Sequence, residues 1–128
     1  MTKLEILLLV ENNQPDIEIA TRIIRTVSSN ISIVVQDISE AALIYLRQVV
    51  SPPQLILLDI GLPKMEGIEF IKQMRQIKFL QSVPIVILTG VALDIARAHA
   101  ADVAAGYIVK PIEVTQFKEI LDKLGFTT

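Results

Sequence analysis

Pro53-Gln54-Leu55-Ile56-Leu57-Leu58-Asp59-Ile60-Gly61-Leu62-Pro63 carries an unbroken aliphatic run that ends on a single carboxylate and is bracketed by prolines. A strand with one wet face would alternate apolar and polar residues. A short continuous run instead reads as a strand covered on both sides. Asp59 then stands at the carboxyl end of that strand. Runs of the same kind lie on either side. Ile6 to Val10 ends at Glu11-Asn12-Asn13, Pro84 to Leu88 ends at Thr89-Gly90, and Tyr107-Ile108-Val109 ends at Lys110-Pro111. Ile31 to Val35 is rich in β-branched residues and reads as a further strand.

Helical patterns fill the gaps. Pro15-Asp16 opens one in which Ile17, Ala20, Ile24 and Val27 share a face; proline suits a first turn, where its missing N–H costs nothing. Asp37 or Ser39 can cap a second, with Ala42, Leu46 and Val49 inward and Pro52-Pro53 as its stop. After Gly61 to Gly67, Ile68, Ile71 and Met74 define a third. An alanine-rich helix is expected from Ala92 to Ala104, and a last one packs Val114, Phe117, Leu121 and Leu124. A strand–helix unit repeated five times predicts an α/β fold: a parallel sheet with helices on both faces, since right-handed crossovers require it.

Composition narrows the function classes. The chain has 128 residues, enough for one domain with its own core, and is 52% hydrophobic with only 5% aromatic residues, so the core is aliphatic. A net charge of −2 gives no basic excess for nucleic acid. With no cysteine and one histidine (His99, expected on the surface), neither a disulfide framework nor a zinc site is expected. No apolar run approaches the roughly 20 residues of a bilayer span, and the amino-terminal residues do not resemble a signal peptide, so a cytoplasmic protein without membrane contact is expected.

In open α/β sheets ligands bind beyond the carboxyl ends of the strands. There the sequence puts Glu11, Asp59, Thr89 and Lys110, contributed by separate strands. This is a workable set for phosphoryl transfer. Asp59 offers a nucleophilic carboxylate, Thr89 a hydroxyl for a phosphate oxygen, and Lys110 a compact positive charge. Two carboxylates about 4 Å apart repel by roughly 4 kcal/mol at an effective dielectric of 20, which a magnesium ion would relieve. Singly, each residue also has a plain reading. Asp59 could cap a turn, Glu11 could cap the first helix, Thr89 could merely end a strand, Lys110 could be a solvated loop residue, and Tyr107 a packed aromatic.

Val10-Glu11-Asn12-Asn13, Leu57 to Pro63, Leu88-Thr89-Gly90 and Tyr107 to Pro111, in that order and across nearly the whole chain, resemble the signature segments of response-regulator receiver domains. The resemblance implies a flavodoxin-like (βα)5 three-layer sandwich with strand order 2-1-3-4-5, formed by residues 1–128 as a single receiver domain without an output domain. It implies that Asp59 is the acceptor of a phosphoryl group from a histidine kinase or phosphotransfer protein. Glu11 and Asn12 match the acidic pair that organises magnesium with Asp59, and Gly61 matches the carbonyl ligand. Thr89 and Tyr107 match the switch pair, and Lys110 the conserved-type lysine. Such a chain is a phosphoacceptor rather than an enzyme with a separate substrate. It would signal by protein contacts at the face of the fourth helix, fifth strand and fifth helix, as a monomer or weak homodimer.

The chain departs from that pattern. Asn12 replaces a carboxylate, so weakened magnesium affinity is expected; losing even outer-shell support typically costs a metal site about 10–100-fold. An alternative reading of Asn12 is a pseudo-receiver, an interaction module with weak or no phosphorylation. Gly90 stands where a small alanine is common, and Val103 to Gly106 lacks the usual residues before the last strand. A flavodoxin-like small-molecule binder is disfavoured, because Glu11-Asn12-Asn13-Gln14-Pro15 contains no glycine for a phosphate loop.

Overall fold

In the computed structural model, residues 2–37, 39–59, 64–90 and 104–127 are described. The aliphatic runs become five parallel strands: β1 (Ile6–Val10), β2 (Ser32–Gln36), β3 (Leu55–Asp59), β4 (Ile85–Thr89) and β5 (Gly106–Val109). Their order is β2-β1-β3-β4-β5, the 2-1-3-4-5 arrangement the sequence implied. The described helices are α1 (Gln14–Val27), α2 (Ser39–Gln48), α3 (Lys64–Arg75) and α4 (Val114–Lys123). The helix expected from Ala92 lies outside the described residues, as do His99 and Gly61.

Strand alternation divides the sheet between two cores. Leu7 and Leu9 of β1, Leu55 and Leu57 of β3, Val86 and Leu88 of β4 and Ile108 of β5 pack with Ala20 and Ile24 of α1 and Phe117 and Leu121 of α4. Leu8, Val10, Ile56, Leu58, Ile85 and Ile87 point the other way, against Ala42, Leu43 and Leu46 of α2 and Phe70, Ile71 and Met74 of α3. Both rows of each central strand are therefore buried, which is why the strands read as unbroken aliphatic runs.

Several boundaries differ from the sequence reading, each for a local reason. Ile31 precedes β2 and is buried as a plug, while the edge strand runs one residue later, to Gln36. Pro84 stands just before β4: its carbonyl accepts from Ile56 N at 3.1 Å, but it has no N–H to give. α2 ends at Gln48, before the prolines, leaving Val50 96% exposed. Glu11 does not cap α1. Asn13 caps α1, its Oδ1 accepting from Asp16 N at 3.0 Å.

The structure adds a short 3-10 helix at Lys78–Leu80 and a pair of two-residue strands to the elements expected from the sequence. Thr2–Lys3 pairs in parallel with Phe126–Thr127, a short ribbon beside the main sheet. Gly125, at φ +83°, turns the chain out of α4 into it, a backbone state that a side chain disfavours. Gln54 anchors the amino-terminal crossing. Its Oε1 accepts from Glu5 N at 2.6 Å and Ile6 N at 3.3 Å, while its Nε2 donates to Lys3 O at 3.0 Å.

Replacing Gln54 by alanine removes these bonds at a partly exposed site and is expected to cost about 1–2 kcal/mol. Leu57→Ala, a truncation in the dry core, is expected to cost about 2–5 kcal/mol. Urea unfolding of both variants checks the ranking; Gln54→Ala unfolding like the parent chain would refute the anchoring role.

Candidate functional site

Parallel pairing brings the chemistry-bearing strand ends to one edge. Val10 registers with Leu58, Asp59 with Leu88, and Thr89 with Val109, so Glu11, Asp59, Thr89 and Lys110 all emerge on the carboxyl side of the sheet. Lys110 N donates to Thr89 O at 2.8 Å, and the Lys110–Pro111 peptide is cis.

The Lys110 ammonium is the hub. It lies 2.8 Å from Glu11 Oε1, 2.9 Å from Asp16 Oδ2 and 3.2 Å from Asp59 Oδ2. The side chains differ in access: Glu11 is 1% exposed, Asp59 9%, Lys110 18% and Asp16 33%. Glu11, Asp59 and Lys110 are thus brought together, and Lys110 is not a solvated loop lysine. Asp16 is an addition that reading did not nominate. Its signal was present: Asn13-x-x-Asp16 just past a strand end is a helix-start pattern, and such a start holds an acidic residue over the strand edge.

Thr89 is fully buried at the end of β4, in the row of Ile87. Tyr107 packs against the α2–α3 core and its hydroxyl is buried. By alternation these two belong to the opposite row from Asp59, which follows Leu57. Asn12 is exposed on the loop between β1 and α1.

One ammonium cannot neutralise three carboxylates. Burial, together with the hydrogen bond and charge of Asp59, pushes the Glu11 carboxyl up to about 8 against the opposing pull of Lys110. Burial alone would lower the Lys110 value, but its hydrogen bonds to Glu11 and Asp16 and the charges of Asp59 and Glu11 outweigh it and raise it above the ordinary lysine range. Glu11 Oε2 is buried with no hydrogen-bond donor among the described residues. That oxygen and the surplus negative charge suit a hard divalent cation. Among the described residues no three metal-ligating side chains form a complete cage. Magnesium does not need one, since it usually keeps waters beside one or two carboxylates.

Comparison with known proteins gives a consistent answer. The family model for the response regulator receiver domain matches residues 7–122. The probable methanogenesis regulatory protein FilR2 of Methanothrix harundinacea is 30% identical over 125 residues, spanning 93% of this chain and 80% of that protein. Among solved structures, the bacteriophytochrome response regulator RtBRR is 29% identical with a TM-score of 0.83, covering 98% of this chain and 80% of that one. The phosphorylated cyanobacterial phytochrome response regulator RcpA is 28% identical with a TM-score of 0.75, covering 94% and 91%.

The Glu11 carboxyl fixes a pH dependence. Its ordinary value is 4.5, so between about 4.5 and about 8 the folded chain keeps a proton that the unfolded chain has released. Stability then falls as pH rises through that window. The contribution of Lys110 is fully present below 10.5 and does not interfere. Urea unfolding from pH 5 to 9 in chelator-containing buffer should show the decline in the parent chain and a flatter profile in Glu11→Gln. Equal slopes in the two proteins would rule out Glu11 as the source.

Proposed function

The chain belongs to the response regulator receiver domain family, and from that premise we propose that residues 1–128 form one receiver domain that accepts a phosphoryl group on Asp59. The observation that carries this reading is the Lys110 ammonium 3.2 Å from the Asp59 carboxylate, at a strand-end edge that is buried without being sealed. The likeness to a receiver solved in its phosphorylated form supports it.

In the proposed reaction an Asp59 carboxylate oxygen attacks the phosphorus of the donor, a phosphohistidine of a histidine kinase or phosphotransfer protein. The new O–P bond forms as the N–P bond breaks, and the departing imidazole keeps the electron pair. Lys110 faces the charge that gathers on the phosphoryl oxygens. Thr89 donates its hydroxyl to one of them, and Tyr107 responds to that shift. Glu11, Asp59, the Asn12 side-chain oxygen and the Gly61 carbonyl would hold a magnesium ion, whose chemistry is to offset the negative charge between carboxylates and phosphoryl group. Because Asn12 is neutral, the affinity for the ion is set below that of a site with a further carboxylate. The chain acts as a phosphoacceptor and turns over no separate substrate.

The signal leaves by protein contacts. A cleft of about 280 Å³ opens between β5 and α4, lined among others by Gly106, Tyr107, Ile120 and Leu124. It adjoins the switch aromatic, which supports this face as the partner surface for a monomer or weak homodimer. No described helix is long and apolar enough to cross a membrane; the cytoplasmic place we propose rests on the receiver reading, whose phosphodonor is a histidine kinase or phosphotransfer protein. Asn12 favours one second reading, a pseudo-receiver that signals without phosphorylation.

Incubation with acetyl phosphate and excess magnesium should add one phosphoryl group by intact mass, and none to Asp59→Asn. No addition to the parent chain, under conditions that modify a standard receiver, would favour the pseudo-receiver. Asn12→Asp should tighten magnesium binding about 10–100-fold by calorimetry; an unchanged affinity would remove Asn12 from the metal set.

A further inference from the structure

We propose that Asp16 is a positioning residue that competes with the phosphoryl group for Lys110, holding the ammonium in a resting place it must leave to bind a phosphoryl oxygen. This inference rests on the reading of Asp59 as the phosphoacceptor.

An ammonium has three N–H donors. Two are taken by Glu11 and Asp16 at 2.8 and 2.9 Å, and the Asp59 carboxylate lies 3.2 Å from the same Nζ, so the ammonium is already surrounded by carboxylates. A further anion must displace one of them. Glu11 is poorly suited to be released, because its side chain is 1% exposed and no water would replace the lost partner. Asp59 is where the phosphoryl group itself is bonded. Asp16, 33% exposed, is the carboxylate that water can take over at least cost. Its place is fixed by the main chain: Asn13 caps α1 through Asp16 N at 3.0 Å, so the first turn of the helix presents the carboxylate whether or not Lys110 is bound. The backbone N–H groups of that turn favour a negative charge there after release. Asp16 is therefore a built-in competitor, standing where the loss of its partner is easily compensated.

The test uses the full chain as the parent, Asp16→Asn, Asp16→Ser, Asp16→Glu and Glu18→Gln. Glu18 is exposed on the same helix and controls for net charge. Phosphorylation by acetyl phosphate at saturating magnesium is followed by intact mass. Inorganic phosphate is titrated separately against the Lys110 ammonium resonance. Both the phosphorylation rate and the phosphate affinity should rise about two- to fivefold in Asp16→Asn and Asp16→Ser, the range expected for removing a partly exposed ion pair. Asp16→Glu should stay close to the parent, and Glu18→Gln should not change. Equal or slower phosphorylation of the Asp16 variants would overturn the proposal. So would a Glu18→Gln gain as large as theirs, which would make the effect one of bulk charge. If no protein takes a phosphoryl group, the phosphoacceptor reading fails. The phosphate titration still judges the competition: tighter binding in Asp16→Asn upholds it, and equal binding overturns it.

Discussion

A single ammonium set among three carboxylates is the constraint on which this edge of the molecule depends. Lys110 reaches Glu11 from β1, Asp59 from β3 and Asp16 from α1, so one side chain ties together segments far apart in sequence. The arrangement is left short of positive charge. A buried carboxylate in that position lowers its cost by keeping a proton or by meeting a cation. The raised Glu11 value and its donorless Oε2 both express that shortage. A divalent cation would relieve that imbalance, and the proposed phosphoryl transfer to a carboxylate calls for one.

The second constraint is the pleat. Asp59 lies in the row that packs on α1 and α4, while Thr89 and Tyr107 lie in the row facing α2 and α3. The acidic cluster and the proposed switch pair thus belong to different cores, although their strands are neighbours. The bond from Lys110 N to Thr89 O links the two sides through the main chain. On the proposed reading, this bond is the main-chain route by which a change at Asp59 that moves Lys110 would reach the ends of β4 and β5.

Much of this was legible in the sequence, for identifiable reasons. Strands buried on both faces leave unbroken aliphatic runs, so Ile6–Val10 and Leu55–Asp59 announced themselves, and the residues at their ends, Glu11 and Asp59, do meet at Lys110. The edge strand begins one residue after the apolar run because Ile31 serves a different purpose, packing into the core shared by α1 and α4. The ribbon of Thr2–Lys3 with Phe126–Thr127 was missed because two-residue strands carry no period, and because their pairing joins opposite ends of the chain. For Asp16 the linear pattern shows an acidic residue in a first helical turn past a strand end, but not the lysine 94 positions away that it reaches; that contact exists only once the chain has folded.

Asn12 and Asp16 are best understood together. At position 12 the chain gives up a charged oxygen on the side of the acidic cluster where the metal is proposed to sit. At position 16 it supplies a carboxylate 2.9 Å from the Lys110 ammonium. The cation side is thereby weakened and the hold on the lysine strengthened. On the proposed reading both changes act in one direction. Each favours the unmodified domain, the first by lowering the charge that recruits magnesium, the second by occupying the ammonium that would greet the phosphoryl group. Both leave the Asp59 carboxylate itself in place, 3.2 Å from the Lys110 ammonium, so on that reading they would raise the threshold for the reaction without removing its acceptor.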